Sequence, residues 1–267
     1  MKDKLNRRLE SLPETAKILD VGGWFIPCPM ATHVVDIMPW ETRGAKLQTK
    51  PLLEEKFSKE TWFQIDFLDP KLRLPFSDNE FDFSICSHTL EDLIEPSYLM
   101  KELMRVNQAG YIEVPSRLTE QTIGVEDAEH RSCSVVGYSH HHWIVDSVSK
   151  TLTFYSKPNS IRKDGATIIP LSTFEREVAE KPDAQFLSFF WEGSFSCEFV
   201  RGAAAGIRAR EFRKSLSIRG VEVWEDRLKR MGRRARKKLK GGASADLDAR
   251  WQEIVDLSQP YSSLKLR

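Results

Sequence analysis

Hydrophobic residues recur along the first 115 positions in short, nearly continuous runs. Five such runs lie within AKILDVGG, THVVDIMPW, WFQIDFLD, FDFSICSHTLEDL and AGYIEVPS. Runs of this kind are typical of strands that are buried on both faces. Helical spacing of apolar residues appears at 3–11 and in PSYLMKELMRV, which has a proline near its start. Strands that alternate with helices in this way predict an α/β fold with a parallel sheet covered on both faces.

The pattern changes after the fifth run. HHWIVDSVSKTLTFYSK is typical of a β-hairpin, PLSTFEREVAEK predicts a helix over 171–181, and QFLSFFWEGSFSCEFV predicts a second hairpin that turns at Glu192 and Gly193. We interpret 117–168 as an insertion after the fifth strand that forms a lid or acceptor region. The helix and the second hairpin are expected to complete the sheet. This organisation divides the chain into one domain over 1–204 and a helical, basic extension over 205–267.

Composition sets broad limits on the class of protein. The chain has 267 residues, of which 40% are hydrophobic, so it suits one domain with an appendage. The formal net charge of +1 indicates no particular partner. Four scattered cysteines without a CxxC pair favour reduced thiols over a disulfide scaffold. The charged start MKDKLNRRLE does not resemble a signal peptide, and no apolar run has the length of a membrane span, so a cytoplasmic location is expected.

The segment 225–240 is the most basic part of the chain. It holds nine Lys or Arg residues against two acids, a net charge of +7. It has no interleaved aromatic residues, so stacking on nucleic-acid bases is not expected. We interpret it as a solvated tail that is dispensable for folding, with weak contact to an anionic surface as the alternative.

Candidate binding residues come from the ends of the predicted strands, because ligands of open parallel sheets bind beyond the carboxyl ends of the strands. An acid at the end of the second strand accepts hydrogen bonds from ribose hydroxyls in dinucleotide folds, and Asp36 has this position. Asp66 is placed to accept from an adenine amino group. The alternative for each acid is an ordinary turn, which Asp favours. The residues at the strand ends are Asp20, Gly22, Gly23, Asp36, Asp66, Phe67, Ser87 and His88.

The loop after the first strand limits the choice of cofactor. A pyrophosphate is held at the N-terminus of a helix that follows a glycine-rich turn. Pro27 and Pro29 leave little room for such a helix here. This argues against NAD, FAD and ATP and favours S-adenosyl-L-methionine, which carries no phosphate.

Four stretches of the sequence resemble motifs of a known family. ILDVGG, VVDIMP, DFLDPKLRLPFSDNEFDFSICSHTLEDL and LMKELMRVNQAGYIEVPSR resemble successive motifs of class I S-adenosylmethionine-dependent methyltransferases. The stretch LPFSDNEFDFSICSHTLEDL resembles most specifically the signature LPF.D..FD.V...H.LEH of the group that acts largely on small molecules. The resemblance covers about 15–117. The chain departs from the family in its first loop, which has one glycine pair and two prolines, and in the long insertion after the fifth strand.

The resemblance implies a Rossmann-like, mostly parallel sheet of seven strands with helices on both faces and a terminal antiparallel strand. It also implies roles for individual residues. Asp20, Gly22 and Gly23 would line the methionine end of the cofactor. Asp36, with the adjacent Ile37, would hold the ribose, and Asp66 and Phe67 the adenine. Ser87 and His88 would lie at the open side of the cofactor.

The segment GYSHHHW supplies the remaining catalytic candidates. His140, His141 and His142, together with His88, are candidates for a general base that activates a hydroxyl or amine. A packed, hydrogen-bonded histidine cluster is the alternative. A metal site would need further ligands, such as Glu113, His130 or Glu129, because consecutive residues on a strand cannot all converge on one ion. No metal site is assigned on this basis.

Three residues beside these candidates are expected to contact the acceptor. They are Glu113, Arg117 and Trp143. Arg117 suits a bidentate grip on an anionic group, with a surface ion pair as the alternative.

The sequence therefore predicts methyl transfer from S-adenosyl-L-methionine to a small-molecule or glycan-like acceptor. One alternative is a binding or regulatory protein that kept the fold without catalysis. Another is a nucleic-acid methyltransferase steered by the basic segment 225–240. It is disfavoured because the fourth strand ends in CSHTLEDL rather than in an Asn/Asp-Pro-Pro-aromatic motif. The sequence does not indicate the oligomeric state.

Overall fold

The computed structural model describes residues 2–43, 54–126, 135–157, 165–218, 220 and 222–223. Nine strands lie in these ranges. In chain order they are β1 (Ile18–Val21), β2 (His33–Asp36), β3 (Trp62–Gln64), β4 (Phe83–Ser87), β5 (Ala109–Pro115), β6 (Trp143–Val148), β7 (Thr151–Ser156), β8 (Phe186–Glu192) and β9 (Ser196–Val200).

Six of these strands form the main sheet, in the order β3-β2-β1-β4-β5-β8. The first five pair in parallel, and β8 pairs antiparallel to β5. The predicted α/β class with a mostly parallel, Rossmann-like sheet is confirmed. The carboxyl ends of the parallel strands all meet at one edge, and this edge positions the candidate site.

Helices lie before, between and after the strands. They are α1 (Lys2–Glu10), α2 (Ser97–Val106), α3 (Arg117–Gln121), α4 (Leu171–Glu180) and α5 (Ala203–Ser215), with 3-10 turns at Trp40–Thr42, Lys59–Thr61 and Pro182–Gln185. The helices predicted at 3–11, in PSYLMKELMRV and at 171–181 are confirmed within a residue or two. Within the described ranges, no helix combines the length and apolarity that crossing a membrane requires.

Alternate strand residues bury the two faces of the main sheet in two clusters, as the period of two requires. On one face, Leu19, Val21 and Ile112 pack with Leu99 and Leu103 of α2. The opposite face packs against α1, and its buried members are Leu9, Ile18, Ala31, Val34, Phe57, Trp62, Phe83, Ile85, Ala109 and Tyr111. Each fully buried aliphatic side chain stabilises the fold by about 1.5–3 kcal/mol.

The last two strands differ from the predicted hairpin. They follow one another across the expected turn at Glu192 and Gly193, but they belong to different sheets. The strand β9 pairs in parallel with β7, which pairs antiparallel with β6, so β6-β7-β9 form a second sheet. Phe195 is buried against Phe189 and Trp191 in the turn and directs the chain from one sheet to the other. The described main sheet therefore has six strands, not seven.

The insertion after β5 packs on the domain. Its hairpin β6–β7 is confirmed, and Trp143, Val145, Leu152 and Phe154 join the main hydrophobic cluster. The helix α5 contacts the same region, because Gln121 donates from Nε2 to the carbonyls of Thr167 and Ala209 at 2.8 and 2.9 Å. The basic segment 225–240 lies outside the described residues, and the proposed domain boundary at 204/205 stays a prediction.

Candidate active site

The loop after β1 is built around two glycines. Gly22 has φ +78°, and a Cβ at this position would lie 1.9 Å from Thr89 Oγ1. A Cβ on Gly23 would lie 2.8 Å from an Asp20 carboxylate oxygen. The space that the glycines leave is therefore filled by Thr89 and Asp20 of the protein itself. No helix occurs in 22–32, all of which the structure describes, as the two prolines predict.

Two buried aspartates fix the shape of this loop. Asp20 accepts a hydrogen bond from the Cys28 N–H at 2.6 Å. Asp36, at the end of β2, accepts from the N–H groups of Trp24 at 2.9 Å and Met38 at 2.7 Å. Burial raises the pKa of Asp20 to about 7 and the pKa of Asp36 to about 6, although these N–H donors partly oppose it. Each Asp36 oxygen keeps a second lone pair for a further donor.

The other cofactor candidates take different positions around the ends of β2 and β3. Asp66 is partly exposed and accepts from the Leu68 N–H at 2.8 Å. Phe67 is buried in the main hydrophobic cluster. Ile37 is partly exposed, and its carbonyl accepts from Gln64 Nε2 at 3.1 Å. Their contacts with adenosine stay predictions.

His88 lies between two carboxylates where β4 ends. Its Nδ1 is 3.4 Å from Glu91 Oε1, and its Nε2 is 3.6 Å from Glu113 Oε1. Its φ of +53° is rare for a residue with a Cβ and turns the chain sharply after Ser87. Burial would lower the pKa of His88, but the two carboxylates outweigh it and raise the pKa to about 9. The imidazole is therefore positively charged at neutral pH.

The network extends along β5 from Glu113. Ser87 donates to Glu113 Oε1 at 3.4 Å, and the Tyr111 hydroxyl donates to Glu113 Oε2. The Tyr111 hydroxyl also lies 2.8 Å from Ser188 Oγ of β8. Burial would raise the pKa of Glu113, but the hydrogen bonds from His88 and Tyr111 lower it overall. Glu113 is thus a charged anchor for His88.

The histidine run lies against the turn that follows His88. The His142 N–H donates to the Glu91 carbonyl at 2.8 Å, and Trp143 Nε1 donates to the Leu93 carbonyl at 2.8 Å. His141 is buried, whereas the side chains of His140 and His142 are exposed. The structure therefore brings the insertion to the carboxyl end of β4, and its role as an acceptor region stays a prediction.

Two of the three substrate candidates are engaged within the protein. Arg117 is buried, donates to both carboxylate oxygens of Asp146 and stacks over the Tyr155 ring at 4.5 Å. Trp143 is buried against Phe154 and Phe199. Of the three, Glu113 alone belongs to the network around His88. The acceptor contacts of all three stay predictions.

Several charged residues of this region were missed from the sequence. Glu91 and Asp92 follow His88 by three and four positions within SHTLEDL, so the acids in that signature were an available signal. Glu120 and Lys157 are buried and form an ion pair, with no pattern in the sequence that links them. The distance of 37 positions between them explains why local patterns did not reveal the pair.

The donor set at this edge suits a cationic cofactor better than a phosphate. Each of the five parallel strands has a carboxylate within it or within four residues after it, and these carboxylates belong to Asp20, Asp36, Asp66, Glu91 and Glu113. Carboxylates attract a sulfonium cation and repel a pyrophosphate. Together with the loop without a helix after β1, this chemistry fits S-adenosyl-L-methionine.

Comparison with known proteins gives a family for this part of the chain. Residues 33–112 match the family model described as a methyltransferase domain. The matched segment begins with β2 and ends within β5. No curated protein sequence matches the chain.

Several solved structures resemble the chain weakly. A putative methyltransferase from Bacillus halodurans is 17% identical, and the match covers 43% of this chain and 50% of that protein with a TM-score of 0.31. An S-adenosylmethionine-dependent methyltransferase from Aquifex aeolicus is 18% identical over 43% of this chain and 64% of its own length, with a TM-score of 0.27. A putative methyltransferase in complex with the Haloferax volcanii Trm112 activator is 15% identical over 73% and 92%, with a TM-score of 0.37.

The chain thus spans half to two thirds of the first two of these proteins, and likenesses of this strength carry no argument about activity. The family match confirms the resemblance seen in the sequence, with its enzyme class and its cofactor, at the level of the domain. Residues 33–112 are therefore similar to a methyltransferase domain, in agreement with the resemblance to class I S-adenosylmethionine-dependent methyltransferases.

Proposed function

We propose that the whole chain catalyses methyl transfer from S-adenosyl-L-methionine to a small-molecule or glycan-like acceptor. The observation that carries the proposal is the cluster of His88, Glu91 and Glu113 at the carboxyl ends of β4 and β5. Its first two members lie inside the matched domain, and the insertion contacts the cluster through the hydrogen bond from the His142 N–H to the Glu91 carbonyl. A methyltransferase needs its polar groups at this edge, because ligands of parallel sheets bind there.

The cofactor supplies an electrophilic methyl group, and the chain supplies binding and orientation. Asp36 would accept hydrogen bonds from the ribose through its remaining lone pairs. Asp20 and the glycine pair would shape the loop beside the methionine end. Asp66 would face the adenine amino group.

His88 would act on the acceptor through its positive charge at neutral pH, because its two ring nitrogens face Glu91 and Glu113. Its pKa of about 9 leaves it protonated, so it is a poor base in this state. The carboxylate of Glu91 is only 1% exposed and faces His88 Nδ1 at 3.4 Å, so its role is to hold and orient the imidazolium.

Calorimetric titration with S-adenosylhomocysteine tests the cofactor site. We expect binding to the wild-type protein and a weakening by about 1–3 kcal/mol in Asp36→Asn, because one ribose hydroxyl loses its charged acceptor. Asp69→Asn is the matched control, since Asp69 is exposed and bonds only locally to the Lys71 N–H among the described residues. Unchanged affinity in a folded Asp36→Asn protein contradicts the placement of the ribose.

Transfer of a radiolabelled methyl group tests the acceptor class. We expect label in hydroxylated small molecules or oligosaccharides and none in DNA or RNA. Label in nucleic acid contradicts the proposed acceptor and supports the role of the basic segment 225–240. Tight cofactor binding without transfer to any of these classes supports a non-catalytic binding protein.

A further inference from the structure

Two consecutive histidines and one aspartate converge at the turn after β4. His140 Nε2 lies 3.7 Å from Asp92 Oδ1, and His141 Nε2 lies 3.4 Å from the same oxygen. One ligand atom from each of the three residues lies within 4.8 Å of the others. Two atoms bound to one metal at about 2.1 Å are separated by about 3.0–3.4 Å in octahedral or tetrahedral geometry. The three side chains are therefore close to the spacing of a metal site.

The backbone explains how neighbouring histidines reach one point. Residues 139–140 form a bend, and β6 begins only at Trp143, so His140 and His141 are not on a strand. Their rings lie 4.4 Å apart at an angle of 77°. The sequence argument that consecutive histidines cannot converge on one ion assumed that they lie on a strand. It does not apply to residues in this bend.

A carboxylate orients each histidine from behind. His141 Nδ1 lies 2.6 Å from Glu120 Oε1, and His140 Nδ1 lies 3.6 Å from Glu126 Oε1. A carboxylate at Nδ1 favours the tautomer that carries its proton there and leaves the lone pair on Nε2 free. Metal-binding histidines usually have this carboxylate partner.

The supporting carboxylates are themselves held in place. The ammonium of Lys157 pairs with Glu120, and Ser139 donates from its hydroxyl and its N–H to the two oxygens of Glu126 at 2.9 and 3.1 Å. The two Nδ1 contacts are thus parts of a buried or anchored frame rather than of a mobile surface.

The local charge favours a cation. Glu91, Asp92, Glu120 and Glu126 supply four carboxylates, and Lys157 and the imidazolium of His88 supply two positive charges. His88 pairs with Glu91, whereas Asp92 Oδ1 is buried as an atom and has no hydrogen-bond partner within the described ranges. Buried carboxylate oxygens without donors are costly unless a positive charge compensates them.

We propose that Asp92, His140 and His141 bind one divalent transition-metal ion. Two imidazoles and one carboxylate are the donors that Zn²⁺, Mn²⁺ and Fe²⁺ share, with open coordination positions left for other ligands. The side chains of Asp92 and His140 are 40% and 60% exposed, so these positions face solvent. In a part of the inference that rests on the proposed function, the open positions take hydroxyl or carboxylate oxygens of the acceptor and orient it toward His88.

Metal titration without cofactor or acceptor tests the site. The full chain is stripped with EDTA, dialysed, and titrated calorimetrically with ZnCl₂ and, separately, MnCl₂. We expect one ion per chain and a loss of affinity of at least tenfold in Asp92→Asn and in His140→Gln. His142→Gln is the matched control, since it removes the third histidine of the same run, whose side chain is exposed and outside the cluster. It is expected to bind metal as the wild type does.

Thermal unfolding supplies an independent readout. Metal is expected to raise the Tm of the wild type and of His142→Gln but not that of Asp92→Asn, because an ion that binds only the folded state stabilises it. The partly exposed positions of Asp92 and His140 keep these variants folded, and their Tm without metal verifies it. Absence of metal binding in the wild type, or equal binding in all variants, overturns the site.

The two proposals fail separately. If the wild-type protein binds S-adenosylhomocysteine but no metal, the metal site alone is overturned. If it binds metal but not S-adenosylhomocysteine, the proposed function alone is overturned.

Discussion

Replacement of Gly22 by alanine measures how tightly the first loop is built. The new Cβ would lie 1.9 Å from Thr89 Oγ1, and the backbone at φ +78° is unfavourable for any residue with a Cβ. The backbone alone costs about 1–2 kcal/mol. Overlap with a packed neighbour adds about 1–3 kcal/mol. We therefore expect Gly22→Ala to lower the free energy of unfolding by about 2–5 kcal/mol.

Gly193→Ala separates these two costs. Gly193 has a similar φ of +68°, but no atom lies within 4 Å of the position of its Cβ. This variant is expected to lose only the backbone cost of about 1–2 kcal/mol. The difference between the two variants, measured by urea-induced unfolding followed by circular dichroism, then reports the overlap with Thr89.

A second substitution tests the identity of the obstructing atom. Thr89→Ala removes the hydroxyl at 1.9 Å and leaves the Thr89 Cβ at 2.9 Å from the new methyl group. Gly22→Ala combined with Thr89→Ala is therefore expected to recover most of the overlap cost, although the Thr89 hydrogen bond to the Ser87 carbonyl is lost. Equal losses of stability in Gly22→Ala and Gly193→Ala would refute the reasoning, as would a double variant whose losses simply add.

Three further predictions concern buried charges, and each is measured by equilibrium unfolding. Lys157→Met is expected to lower the free energy of unfolding by about 3–5 kcal/mol, because it leaves the buried Glu120 carboxylate without its ammonium. The control Lys17→Met breaks an exposed ion pair and is expected to cost at most about 1 kcal/mol. Similar losses in the two variants would contradict a buried pair between Lys157 and Glu120. The pKa of His88 is raised from 6.5 to about 9, so its stabilising contribution is complete below pH 6.5 and disappears as the pH rises through 9. The stability lost in His88→Gln should therefore be larger at pH 6 than at pH 9.5, and a constant loss would disprove this. Burial raises the pKa of Asp20 from 3.8 to about 7, so wild-type stability falls as the pH rises between these values. Asp20→Asn should flatten that fall, and an unchanged pH profile would exclude Asp20 as its source.

The positions of the parallel strands along the chain could be predicted from the sequence because each strand is locally encoded. The run that contains Val34 and Val35 is apolar without interruption, as expected of a strand covered on both faces, and it ends at Asp36. The strand that ends at Ser87 is also buried at its first four positions, although it contains the polar Ser84. Local apolar runs, the acids at their ends and the family resemblance were enough to locate this edge of the sheet.

The assembly of the second sheet could not be predicted in this way. Period-two patterns identify β7 and β9 as strands, but they do not indicate which strands pair. The apparent hairpin at Glu192 and Gly193 favoured pairing between neighbours, whereas the burial of Phe195 separates them.

The cluster around Asp92 was missed for a related reason. Asp92 and His140 are 48 positions apart, and hydrogen bonds between a turn and a bend bring them together rather than regular secondary structure. The sequence argument placed HHH on a strand, where neighbouring side chains point to opposite faces. In the structure, the bend at 139–140 lets the side chains of His140 and His141 approach the same point.

The exchange of strands between the two sheets has a mechanical consequence for the insertion. Five residue pairs join β7 to β9, and β9 is tethered through a turn of three residues to β8, the edge strand of the main sheet. Any displacement of the β6–β7 hairpin therefore acts through β9 on that edge strand. We accordingly expect a substitution of Phe195 in this turn to shift the hairpin relative to the main sheet.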